Sequence, residues 1–130
     1  MLPMRLPALI ALACVPVCLV ACGPEGLAPA SGSAGVSACG SLPDEAWDTI
    51  RAVEDGGPFP YPEHDDRRFG NYENVLPDED LGYYREYTVD TPGLNHRGQR
   101  RIVTGGGADG DVDEWYYTGD HYESFCEVQY

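Results

Sequence analysis

Side-chain character alternates with period two along residues 83–89, YYREYTV, which places Tyr84, Glu86 and Thr88 on one face of an extended strand. A loop carrying Pro92, Gly93 and Gly98 follows, and a second strand starts at Arg100-Arg101, with Arg97 just ahead of it. A different period governs residues 42–55, LPDEAWDTIRAVED. Ala46, Ile50 and Val53 recur on one helical stripe, Pro43 suits the first turn, and Asp44 and Glu45 favour its positive end. Gly56-Gly57 stop the helix, and Trp47 beside the stripe reads as structural.

The remaining segments are short. The run Pro58-Phe59-Pro60-Tyr61-Pro62 is an extended connection, because three prolines forbid helix and central strand alike. His64-Asp65-Asp66-Arg67-Arg68 reads as a solvated polar turn. Residues 105–114, GGGADGDVDE, read as a loop, and residues 115–130 as two short strands around Thr118-Gly119-Asp120, with His121 opening the second. The glycines of that loop lack the Lys-Ser/Thr and helix start of a phosphate-binding loop. Asp109, Asp111 and Asp113 alternate as calcium ligands do, but no glutamate closes the set at the required spacing.

Charge narrows the picture. The 130 residues carry 22 acidic and 8 basic side chains, a net charge of −14, and every basic residue is arginine. Such a balance argues against a protein that coats nucleic acid, yet it leaves room for a local cationic cleft. Four of the arginines, Arg85, Arg97, Arg100 and Arg101, fall within one short stretch. A chain of this length builds one domain with a modest core.

The first segment reads as an export signal. Residues 1–5 give a weakly positive start, and residues 6–20 form an apolar run too short and too proline-interrupted to span a membrane comfortably. Leu19-Val20-Ala21-Cys22-Gly23 then resembles a bacterial lipobox, in which the cysteine carries lipid; the alternative is an ordinary secretory signal cut near Ala28-Pro29-Ala30. The expected organisation is a lipoprotein-type signal peptide at 1–21, a Gly/Ala/Ser/Pro-rich tether at 22–38 and a folded domain at 39–130. Of the five cysteines, Cys14 and Cys18 leave with the signal and Cys22 is lipidated. In an oxidising compartment Cys39 and Cys126 then pair, a bridge worth about 4 kcal/mol through loop closure. No CxxC or HxxxH spacing accompanies them, which argues against zinc.

Two candidate sites stand out chemically. Glu86 opposite an arginine cluster suits a general base beside cations that stabilise a crowded oxyanion, although a sheet-face ion pair would use the same residues. Phe69-Gly70-Asn71-Tyr72-Glu73 sets two aromatics around a Gly-Asn that a ligand can approach closely, with a carboxylate following; a strand end with a surface glutamate is the plainer reading.

Several segments in the same order resemble the small secreted microbial guanyl-preferring ribonucleases, barnase and its smaller acidic relatives. They are Leu42-Pro43 into the helix, Gly57-Pro58-Phe59-Pro60-Tyr61, Phe69 to Glu73, and Tyr83-Tyr84-Arg85-Glu86-Tyr87-Thr88-Val89. Arg97-Gly98-Gln99-Arg100-Arg101-Ile102 and Thr118-Gly119-Asp120-His121-Tyr122 complete the set. The resemblance runs from Cys39 to about Phe125. It implies an α+β fold with one helix packed on a small antiparallel sheet whose open face holds the site. It also implies Glu86 as general base, His121 as general acid and Arg101, helped by Arg97, as stabiliser of the phosphorane. Glu73 is implied as the carboxylate that reads guanine, the amides around Gly70, Asn71 and Tyr72 as donors, and Phe69 and Tyr72 as stacking surfaces. Tyr84 and Tyr122 fall near the phosphate. By the same resemblance the partner is RNA, no metal or other cofactor is needed, the protein is a monomer, and a barstar-like protein inhibitor is a second partner to consider. The expected place is outside a bacterial cell, either free or held at the surface through Cys22. A non-catalytic lipoprotein that binds guanine nucleotides or RNA is the alternative, and the presence of all three catalytic residue types weighs against it.

Overall fold

The computed structural model describes residues 35–107 and 111–130. One helix, α1 (Asp44–Glu54), precedes five strands: β1 (Arg67–Arg68), β2 (Tyr84–Thr88), β3 (Arg101–Gly106), β4 (Val112–Thr118) and β5 (Cys126–Glu127). The strands follow one another in chain order across a single sheet, each antiparallel to the next. The fold is the expected α+β arrangement. The residue before the helix is Pro43, in extended conformation, and the acidic residues of the first turn lie at the positive end of the helix dipole.

Alternation along each strand divides the sheet into two faces. Tyr87, Val89, Ile102 and Trp115 turn toward the helix and bury Ala46 and Ile50 with Val128. Removing the fully buried Ile50 side chain would cost about 2–5 kcal/mol, the lost burial plus the hole that partial relaxation leaves. On the other face Tyr84, Val103 and Tyr116 form a second cluster with Leu76, flanked by Phe69, Tyr122 and Phe125. Thr49 ties the layers together: its hydroxyl donates to the Thr88 carbonyl at 2.9 Å.

Cys39 and Cys126 form a disulfide with Cα atoms 4.8 Å apart, as the cysteine count implied. It joins the start of the domain to β5.

Several boundaries differ from the sequence reading. Val36, Ser37 and Ala38 belong to the folded unit rather than to a tether. Ser37 accepts from the Glu127 amide at 2.8 Å, Ala38 bridges Glu127 in parallel, and Val36 packs on the second cluster. Gly105 and Gly106 lie in β3, with a bulge between them, and Asp113 and Glu114 lie in β4, so the loop is shorter than expected. The proposed calcium-like alternation includes Asp109, which is outside the described residues. His121 opens no strand; it occupies a turn between β4 and β5 at φ 55°. Asp65 is not solvated but 4% exposed, because its carboxylate accepts from the Thr88 amide at 2.7 Å and the Tyr61 amide at 3.1 Å. The expected signal peptide and the expected lipidation at Cys22 fall outside the described residues. Among those residues, no helix is long and apolar enough to cross a membrane.

Candidate active site

The face opposite the helix carries the candidate chemistry. In register across β2 and β3, Glu86 pairs with Val103 and Thr88 with Arg101, so the carboxylate and the guanidinium stand on one face, two residues apart along neighbouring strands. Arg97 enters from the loop before β3. Its Nε donates to the Thr88 hydroxyl at 2.7 Å, and its Nη2 lies 3.8 Å from Glu86 Oε1. Arg101 is 2% exposed and donates from Nη1 to the Arg100 carbonyl at 2.7 Å. Two buried guanidinium nitrogens, Arg97 Nη2 and Arg101 Nε, have no hydrogen-bond partner among the described residues. A buried donor left unpaired costs about 1–3 kcal/mol, and an anion with several oxygens is the group that satisfies two such donors together.

Tyr122 supplies the other contact to the carboxylate, its hydroxyl donating to Glu86 Oε2 at 2.7 Å. Burial, followed by that hydrogen bond to Glu86, pushes the phenol above its ordinary value, so it remains a donor across the neutral range. The turn ahead of it is held tightly. Ser124 donates to Asp120 through both its amide (2.9 Å) and its hydroxyl (2.5 Å), and the Thr118 hydroxyl donates to Asp120 at 2.9 Å. The Tyr122 amide donates to Thr118 Oγ1 at 3.1 Å. The bonds from Ser124 hold the Asp120 carboxyl below the usual carboxylate range. The turn keeps His121 and Tyr122 at φ 55° and 72°, a left-handed conformation that costs a non-glycine residue about 1 kcal/mol or more. His121 is tied to the arginine segment as well, its amide donating to the Gln99 carbonyl at 3.2 Å.

The second part of the site is the loop after β1. Asn71 and Asn74 adopt φ 50° and 53°, and Asn71 spends its side chain inside the loop. It donates to the Leu76 and Pro77 carbonyls (2.9 and 3.2 Å) and accepts from the Leu76 amide (3.1 Å). Among the hydrogen bonds of the described residues, none uses the backbone amides of Gly70, Asn71, Tyr72 or Glu73. Tyr72 is 87% exposed and its ring lies over Gly70, where a Cβ would come within 2.2 Å of it, so a larger residue at 70 would push this exposed ring aside. Phe69 stacks on Tyr122 with centroids 4.9 Å apart, and Phe125 meets its edge at 5.8 Å.

Phe69, Gly70, Asn71, Tyr72, Glu73, Glu86, His121 and Tyr122 thus line one cleft of about 570 Å³, with Arg97 and Arg101 reached through Glu86 and Thr88. Tyr84 is the exception. It is 2% exposed and its hydroxyl donates to the Pro77 carbonyl at 2.6 Å, so it buttresses the loop from below instead of facing a phosphate. Sequence reasoning overlooked Thr88 as the anchor of Arg97, although its shared face with Glu86 was there to be read. Asp120 and Ser124, which fix the histidine turn, gave no spacing signal of their own.

A helix on a five-stranded antiparallel meander, with a carboxylate, a histidine and two arginines gathered on the open face, defines a class. Residues 27–129 match the ribonuclease family, and the chain belongs to it. It is 55% identical over 84 residues to guanyl-specific ribonuclease St of Saccharopolyspora erythraea, covering 65% of this chain and 77% of the relative. It is 50% identical over 88 residues to guanyl-specific ribonuclease Sa of Kitasatospora aureofaciens, covering 68% and 86%. Among solved structures it resembles ribonuclease Sa2 in complex with mononucleotides, at a TM-score of 0.62 and 45% identity over 68% of this chain and 86% of that one. Ribonuclease Sa2 with guanosine-2'-cyclophosphate gives 0.60 and 44%, over 68% and 87%.

Proposed function

We propose that this protein is an endoribonuclease that cuts single-stranded RNA after guanosine, first by transphosphorylation to a 2′,3′-cyclic phosphate and then by hydrolysis. The observation that carries the reading is the meeting of Glu86 with two buried guanidinium nitrogens, Arg97 Nη2 and Arg101 Nε, that make no hydrogen bond among the described residues. Glu86 takes the proton of the ribose 2′-hydroxyl as that oxygen attacks phosphorus. Arg101 and Arg97 hold the equatorial oxygens, where charge accumulates, and they cannot lose their own charge. His121 gives a proton to the departing 5′-oxygen, whose bond to phosphorus breaks. In the second step water replaces that oxygen and the two proton roles reverse, so the enzyme returns to its starting state. The nucleophile belongs to ribose, and DNA is therefore not a substrate.

Guanine enters the other end of the cleft. Glu73 accepts from N1–H and the exocyclic amine, the amides of Gly70 to Tyr72 donate toward O6 and N7, and Phe69 and Tyr72 flank the ring. The guanyl specificity named for relatives St and Sa supports this assignment. The working unit is a single copy, and a barstar-like inhibitor would act by covering this cleft. We place the enzyme outside the cell, held through a lipid on Cys22. Mass spectrometry of membrane-extracted protein tests the anchor: added acyl mass on Cys22 supports it, and soluble protein starting near Ser31 would end it. For activity, the purified domain is incubated with GpU, ApU and the 2′-deoxy analogue of GpU. Release of guanosine 2′,3′-cyclic phosphate from GpU alone is the expected result, and tight binding of GpU without turnover would make the protein a binding module instead.

A further inference from the structure

The arginines on β1 have no part in the reaction described above, yet they occupy a conspicuous place. Arg67 is the register partner of Glu86, which puts its side chain on the reacting face, with Cβ atoms roughly 5 Å apart. Arg68 is the register partner of Arg85, so its side chain leaves from the face opposite Glu86, although the residue also borders the cleft. Like charges directly opposite each other destabilise a sheet. Arg85 has relief, donating to the Asp66 carbonyl at 2.9 Å and lying 3.6 Å from its carboxylate. Arg67 and Arg68 have none of that kind. In a chain with 22 acidic residues, neither has a carboxylate within 4 Å among the described residues; Arg67 makes one bond, from Nε to the Glu63 carbonyl at 3.1 Å. Both are exposed, and β1 is the edge of the sheet.

The order of groups across the face says what they would meet. In-line displacement puts the leaving 5′-oxygen beside His121, in the turn after β4, and the attacking 2′-oxygen beside Glu86 on β2. The next strand outward is β1. With guanine in the loop after β1 and its 2′-oxygen at Glu86, a guanosine would carry its own 5′-oxygen away from the leaving group and toward that edge.

Resting on the ribonuclease reading, we propose that the β1 edge is a phosphate subsite for the nucleotide on the 5′ side of the recognised guanosine, with Arg67 as its main contact and Arg68 as its flank. The enzyme is then selective for guanosine inside a chain over guanosine at a free 5′ end. The subsite binds by exposed charge, so its contribution is modest and fades with salt: a single-strand phosphate contact adds about 0.7 to the slope of log affinity against log salt.

The test compares kcat/KM for pGpU and GpU at low ionic strength. Wild type is expected to favour pGpU by about threefold to tenfold, with the ratio falling as salt rises. Arg67→Ala brings the ratio near one, Arg67→Lys retains part of it, and Arg68→Ala lowers it less. Arg51→Ala, a charge removed from the helix, leaves it at the wild-type value. A wild-type ratio of one, or a ratio that survives Arg67→Ala, overturns the subsite while GpU cleavage still stands. Failure to cleave either substrate would overturn the ribonuclease reading beneath it.

Discussion

Glu86, Thr88 and Arg101 stand on adjacent strands, where register fixes their spacing, whereas Phe69 to Glu73 leave the sheet and hold their shape by other means. At the strand end of the cleft the geometry is inherited from ladder hydrogen bonds and from buried partners such as Asp65, which pins the Thr88 amide. At the loop end it comes from one side chain, Asn71, which closes three hydrogen bonds inside the segment and leaves the backbone amides pointing elsewhere. The difference teaches that chemistry and base reading are separable in this molecule. A change in the loop should alter which base is accepted, and a change on the strands should alter how fast any base is processed. Tyr122 spans the two, bonded to Glu86 at one edge and stacked on Phe69 at its face.

The largest effect belongs to the strand end. Glu86→Gln should lower kcat/KM for every substrate by about 10²–10⁴-fold and flatten the acidic limb of a bell-shaped pH profile, leaving the limb set by protonated His121. Burial and its bond to Glu86 keep the Tyr122 phenol protonated, so no limb should come from it. An unaltered profile would take Glu86 out of the mechanism.

At the loop end, Asn71→Ala leaves the Leu76 amide and the Leu76 and Pro77 carbonyls without their side-chain partner. A loss of about 1–3 kcal/mol in unfolding free energy is expected by denaturant titration, together with a weaker preference for GpU over ApU. Lost stability with an intact preference would show that the amides are placed by something other than Asn71.

The smallest effect concerns the histidine turn. Asp120 has a depressed folded-state pKa, so its contribution to stability is present above the ordinary value of 3.8 and is lost as the pH falls through the folded value. Asp120→Asn should remove that acid-side dependence and slow GpU and ApU cleavage by the same factor, about 3- to 30-fold, because His121 loses its fixed position. Thermal melts between pH 2 and 6 with parallel rate measurements check both parts; a selective loss on GpU would tie the turn to base reading.

How much of this was legible in the sequence follows the same division. The helix stripe of Ala46 and Ile50 and the shared face of Tyr84, Glu86 and Thr88 could be read because regular elements repeat with a fixed period. The loop's residues were found by their order, but the bonds that hold the loop were not, since the side chains of Asn71 and Tyr84 act through carbonyls of Leu76 and Pro77 that only folding brings near. Asp65 was misread for a related reason. A carboxylate is buried only when donors await it, and its donor on Thr88 is 23 residues away. His121 was assigned to a strand because the turn that holds it is built by side-chain bonds among Thr118, Asp120 and Ser124, which carry no periodic signal.

The separation of reading from reacting is tested most directly by the ratio of kcat/KM on GpU to that on ApU, measured for wild type, Glu73→Ala and His121→Ala. Adenine offers neither N1–H nor a 2-amino group, so a carboxylate built to accept both is left unpaired by it. Glu73→Ala should therefore depress GpU cleavage by about 2–4 kcal/mol in transition-state terms and ApU cleavage little, collapsing the ratio. His121→Ala should depress both substrates alike and leave the ratio at its wild-type value. A ratio unchanged by Glu73→Ala would place base recognition outside residues 69–73 and contradict the account.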